Sequence, residues 1–149
     1  MKDRATHALI YTDGSEISGE VGAAAWCPKA ERAKSRYMGN NTTSTVYAAE
    51  LVGIELALQI AQELEGCTGT TIFTDNQAAI QAIAHPAVSS GQYITYRVIR
   101  EIEKARQKGI QVELQWVPSH QGIPGNEEVD RLAKQAAGWD ESSKSVRLD

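Results

Sequence analysis

Three strand-like stretches follow one another at the start of the chain, with gaps too short to hold a helix, and this limits the folds open to it. Residues 7–13 read as a strand ending in a turn at Asp13-Gly14-Ser15, residues 21–27 as a second strand and residues 33–38 as a third. The short gaps suggest antiparallel hairpins. A helical pattern then runs from about residue 44 to residue 65, closed by Gly66. Residues 70–74 form a strand and residues 76–84 a short helix ended by Pro86. A helix over 93–108 is closed by Gly109, residues 112–117 form the last strand, and a loop over 118–125 leads to Asn126 as the N-cap of a helix reaching residue 137. Strands grouped first and then alternating with helices predict an α/β fold: a mixed five-stranded sheet, three antiparallel strands then parallel ones, flanked by helices.

One domain is expected over residues 1–138, with 139–149 as a polar, fraying tail. A hydrophobic fraction of 42% in 149 residues is enough for a single core. No apolar run approaches the roughly 18 residues that a membrane span needs, and the first residues carry no leader signature. Cys27 and Cys67 lack metal-ligand spacing and read as free thiols, so an intracellular protein of nucleus or cytoplasm is expected. The net charge of −4 argues against a polyanion as partner, since phosphate-tracking proteins are usually basic. Two divalent cations held by four carboxylates would offset that charge, so a metal-dependent nuclease stays open.

Four acids stand out. On a wheel of about 100° per residue, Glu55, Gln59, Gln62 and Glu63 lie roughly 120–220° from Glu50, whereas Ile54, Ala57, Ala61 and Leu64 lie within about 40° of it. Glu50 thus shares the core-facing side, where an unpaired carboxylate costs several kcal/mol. Asp13 and Asp75 each follow an apolar strand, the place where open α/β sheets gather ligands. Taken alone, Asp-Gly and Asp-Asn are ordinary turn chemistry, and Asp130, with Lys134 four residues on, reads as an exposed helix ion pair. Together the four are the parts of a carboxylate cage. Hard oxygen ligands without Cys or a His pair point to Mg²⁺ or Mn²⁺ rather than zinc.

Thr12-Asp13-Gly14-Ser15, Ala49-Glu50-Leu51, Thr74-Asp75-Asn76-Gln77 and the run from Ser119-His120-Gln121-Gly122 to Asn126-Glu127-Glu128-Val129-Asp130 resemble, in order and spacing, the catalytic set of type 1 ribonuclease H. The wording around Glu50 and Asp75 is most similar to the ribonuclease H domains of retrotransposon polyproteins, particularly fungal non-LTR elements. The resemblance implies an RNA–DNA hybrid as partner and an endoribonuclease that cuts its RNA strand, leaving 5′-phosphate and 3′-hydroxyl ends. It implies that Asp13, Glu50, Asp75 and Asp130 hold two Mg²⁺ ions, with Mn²⁺ as a substitute. It also implies a reverse transcriptase domain as a partner in a parent polyprotein. His120 matches the family's mobile-loop histidine, which assists proton transfer or product release. Gly14, Ser15, Thr45, Asn76 and Gln77 match positions that meet the nucleic acid, Thr45 at a DNA phosphate and Gln77 in the minor groove.

Two departures from the family pattern bear on hybrid affinity. Val46 and Tyr47 stand where members often carry groove-reading amides, and only residues 85–91 replace the basic protrusion of many cellular enzymes. On the 93–108 helix, Arg97, Arg100, Lys104 and Lys108 fall within roughly 80° of one another. This stripe is a candidate contact for the hybrid backbone in place of the protrusion. A 3′–5′ exonuclease of the same broad fold needs D-x-E on the first strand, and Ser15, two after Asp13, stands where the Glu would be. A non-catalytic hybrid-binding or connection module is the alternative; its signature would be a lost acid, and all four are present.

Overall fold

The computed structural model describes residues 6–86, 93–119 and 122–138. Its elements are β1 (Thr6–Ile17), β2 (Glu20–Cys27), β3 (Arg32–Asn40), α1 (Val46–Glu63), β4 (Cys67–Thr74), α2 (Gln77–Ala84), α3 (Tyr93–Gln107), β5 (Gln111–Trp116) and α4 (Pro124–Ala136). They form one five-stranded sheet in the order β3-β2-β1-β4-β5. β1 pairs antiparallel with β2 and β2 with β3, whereas β1–β4 and β4–β5 are parallel. This is the mixed α/β sheet that the order of patterns predicts.

The alternation of β1 divides the layers. Ala8 and Ile10 turn into the main core with Ile54, Leu58, Ile60 and Ile72. Tyr11 turns the other way and packs with Trp26 and Leu132 around Ala24, Val129 and Ala133 of the smaller core under α4. Each fully buried Ile or Leu contributes about 1.5–3 kcal/mol over leaving it in water. α1 therefore lies on one face of the sheet and α4 on the other.

β1 does not turn at Asp13-Gly14-Ser15. The strand continues, with Gly14 opposite Ala23 and Ser15 opposite Gly22, and the hairpin closes at Ser18 (φ 51°) and Gly19 (φ 83°). Asp-Gly is a turn signal only where no partner strand takes up its backbone groups, and β2 does so here. α4 begins at Pro124 rather than after an Asn126 cap, and Ile123 in the cap position makes no side-chain bond. Proline at the first turn has its φ already set for a helix and has no N–H to satisfy.

α1 is buried around most of its circumference, and this overturns the placing of Glu55 on a polar face. Glu55 is 5% exposed. Arg97 of α3 holds it with two hydrogen bonds, Nε to Oε2 at 2.9 Å and a terminal nitrogen to Oε1 at 2.6 Å, and Arg36 of β3 approaches at 3.5 Å. Burial pushes the Glu55 pKa up, but the Arg97 hydrogen bonds and charge outweigh it and leave the pKa below the usual range. Cys27 and Cys67 are free and buried. No helix among the described residues is long and apolar enough to cross a membrane.

Candidate metal centre

The parallel ladder between β1 and β4 runs to the pair Tyr11 and Phe73, and Thr12 Oγ1 ties the two strands once more by donating to Phe73 O at 2.7 Å. Asp13 and Asp75 each lie two residues beyond that last pair, which brings their side chains to neighbouring positions. From the α1 layer, Glu50 enters between them. The Gly14 N–H donates to Asp13 Oδ1 at 2.9 Å and to Glu50 Oε1, and Thr74 Oγ1 lies 3.5 Å from Glu50 Oε2. One carboxylate oxygen each from Asp13, Glu50 and Asp75 falls within 4.8 Å of the others.

Three acids this close cannot all ionise freely without a cation. Burial first, and the hydrogen bond with Asp75 and the charges of Asp13 and Asp75 next, push the Glu50 pKa up to about 10. Burial likewise raises Asp13 to about 7, against a lowering hydrogen bond from Glu50 and with further lift from Asp75 and Asp130. Asp13 and Glu50 therefore titrate together rather than as separate acids. A site with hard oxygen donors, excess negative charge and partial burial fits a divalent cation.

Asp130 reaches this centre from α4. Its nearness helps to raise the Asp13 pKa, and Lys134 one turn on holds its Oδ2 at 2.9 Å. The helix ion pair and the approach to the acidic centre therefore coexist. A cavity of about 280 Å³ is lined by Thr12, Asp13, Asp75, Ser119, Asn126 and Asp130 among others. A second, of about 380 Å³, shares Asp13, Asp75 and Asp130 and adds Val46, Glu50 and Gln77. The acids thus form a wall between two openings.

The remaining sequence candidates separate by position. Thr45 caps α1, its Oγ1 accepting from Ala48 N at 3.0 Å, and it stays exposed. Asn76 caps α2 by accepting from Ala79 N at 2.9 Å, and Gln77 is exposed beside it. Gly14 lines the second cavity, whereas Ser15 is buried in the hairpin. Arg97 is bound to Glu55 by two hydrogen bonds and is half-buried. Arg100 is exposed, and Lys104 lies 3.5 Å from Glu101. His120 lies outside the described residues. Sequence reasoning missed Thr74, whose hydroxyl meets Glu50, and Trp116, whose indole donates to Asp75 O at 3.2 Å. The Thr74-Asp75 adjacency could have pointed to the first. Trp116 is 41 residues from Asp75, and no local pattern joins them. Compared with known families, the chain matches the model described as RNase H over residues 5–138.

Proposed function

The chain belongs to the ribonuclease H family, and from that premise we propose that it is an endoribonuclease hydrolysing the RNA strand of RNA–DNA hybrids. The single observation that carries this reading is the convergence of Asp13, Glu50 and Asp75 within 4.8 Å at the end of the β1–β4 ladder. Asp13, Glu50, Asp75 and Asp130 would hold two Mg²⁺ ions, with Mn²⁺ able to replace them. Bound there, the cations would activate water and neutralise charge at the scissile phosphate, leaving 5′-phosphate and 3′-hydroxyl ends.

The protein's own part is positioning and proton traffic. Gly14 N–H and the Thr74 hydroxyl fix Glu50 in its apolar surroundings, so the carboxylate meets the centre in one orientation. Lys134 holds Asp130 at the rim. His120 supplies general acid–base help or eases product release. Thr45, Gly14, Asn76 and Gln77 border the hybrid. Ser15 is buried and acts at most through the hairpin that carries Asp13. The motif wording supports an origin in a retrotransposon polyprotein, with a reverse transcriptase domain as neighbour.

The test is a labelled RNA–DNA hybrid beside matched duplex RNA and duplex DNA, with and without Mg²⁺. Cleavage of the hybrid's RNA strand alone, dependent on Mg²⁺, is expected; an intact hybrid at saturating Mg²⁺ would sink the reading.

A further inference from the structure

β4 and β5 end together, with Thr74 opposite Trp116, and Val117 N–H donates to Thr74 O at 2.9 Å. The next peptide unit, between Asp75 and Asn76, is held at both its polar groups by side chains. The indole Nε1–H of Trp116 donates to the Asp75 carbonyl at 3.2 Å, and the Asn76 N–H donates to Thr74 Oγ1 at 3.2 Å. Trp116 is 44% exposed, so burial of the ring does not by itself account for its seat. The indole N–H has found a backbone carbonyl even at the surface, and that carbonyl belongs to one of the three clustered acids.

We propose that Trp116 is a positioning residue for Asp75: its indole N–H fixes the Asp75–Asn76 peptide, and through it the direction of the Asp75 carboxylate toward Asp13 and Glu50, for divalent-cation binding. Without that bond the main chain at Asp75 would be free to shift against β5, and the carboxylate it carries would shift relative to Asp13 and Glu50. Thr74 Oγ1 restrains the N–H side, but it also faces Glu50, so it cannot hold the peptide independently of the cluster. Trp116, from a different strand, supplies a restraint that does not depend on the protonation of the acids. The inference rests on the reading that these acids bind divalent cations.

The experiment is Mg²⁺ titration of the full chain without nucleic acid, by calorimetry, comparing wild type with Trp116→Phe, which keeps a ring but removes the donor. Loss of one neutral hydrogen bond predicts an Mg²⁺ dissociation constant raised about 3- to 10-fold. The Mg²⁺ concentration for half-maximal cleavage should rise by the same factor, with KM for the hybrid and kcat at saturating Mg²⁺ retained. A purely structural indole would lower the melting temperature and leave the Mg²⁺ constant alone, which overturns the proposal. Should Trp116→Phe not fold, the wild-type indole N–H resonance, assigned with Trp26→Phe and Trp139→Phe, decides. It should shift along the Mg²⁺ titration, and a resonance unmoved through saturation overturns the proposal. Wild type that binds no Mg²⁺ overturns the metal reading as well, whereas wild-type binding with an unchanged variant overturns only the role of Trp116.

Discussion

The backbone N–H of Gly14 donates a hydrogen bond to the carboxylate of Glu50, and the same N–H lies 2.9 Å from Asp13 Oδ1. The close approach that permits this requires glycine. A Cβ at position 14 would lie 2.7 Å from Ala49 Cβ and 2.8 Å from Glu50 N. Gly14→Ala must therefore push β1 and α1 apart, at a cost of about 1–3 kcal/mol. Chemical denaturation should register that loss, and hybrid cleavage should fall with it because Glu50 moves away from Asp13. A variant with wild-type stability and rate would show that the approach is not needed.

Asp13→Asn, Asp75→Asn and Glu50→Gln each remove a charge that a shared cation would need. Cleavage should fall by about three orders of magnitude or more, since stabilisation of charge at the transition state by metal is worth several kcal/mol. The fold should survive, and the metal-free protein should melt no lower than wild type, because one member of a mutually repelling set is gone. Near wild-type turnover at saturating Mg²⁺ in any of the three would disprove its assignment.

Glu50 was legible in the sequence because it contradicts its surroundings: a carboxylate on the apolar face of a helix demands a reason. Asp13 and Asp75 were legible because each follows an apolar stretch, and the order of hairpins and helices set those stretches side by side. Glu55 was misplaced because a helical wheel scores polarity and cannot see Arg97 arriving from α3 or Arg36 from β3. The turn at Asp13 was misread for a similar reason: Asp-Gly favours a turn locally, and the pairing of Gly14 and Ser15 with β2 is a property of two strands. Trp116 meets Asp75 from another strand and Thr74 meets Glu50 from another element, so those two contacts exist only in the folded sheet.

The acids also predict a pH dependence. A carboxyl whose folded-state pKa lies above its unfolded value adds stability below the unfolded value and loses that contribution as pH rises through the folded one. Asp13 goes from 3.8 to about 7 and Glu50 from 4.5 to about 10. The metal-free protein should thus lose stability as pH climbs from near 4 through 7 and toward 10, and added Mg²⁺ should restore more at pH 9 than at pH 5. Melting curves in chelator for wild type and Glu50→Gln isolate the effect. Parallel pH profiles for the two proteins would rule out the raised Glu50.

His120→Ala should slow cleavage without abolishing it. General acid–base assistance is typically worth about 10²–10⁴-fold, and the cations would still lower the pKa of the attacking water. Single-turnover and multiple-turnover rates separate help in the chemical step from help in product release. If neither changes, His120 has no part in the mechanism.

The last prediction separates two cations that a sequence pattern places on one stripe. Arg97 is bound to a buried carboxylate, so among the described residues Arg97→Ala leaves Glu55 with only the 3.5 Å contact to Arg36. Loss of the charge-assisted hydrogen bonds should cost about 2–3 kcal/mol of stability, and the loss should grow as Glu55 ionises with rising pH. Hybrid binding by the fraction that remains folded should keep its salt dependence. Arg100 is exposed and Lys104 has only a partly solvated partner in Glu101, so the Arg100→Ala, Lys104→Ala double variant should leave stability nearly unchanged. If those two residues contact phosphates, each lost contact should flatten the slope of log affinity against log salt by about 0.7–0.9. Affinity for a hybrid, measured across salt in Ca²⁺ to suppress cleavage, reads this directly. An unchanged slope in the double variant would leave the exposed part of the α3 stripe as solvated surface, and a flattened slope in Arg97→Ala would show that Arg97 serves the hybrid as well as Glu55.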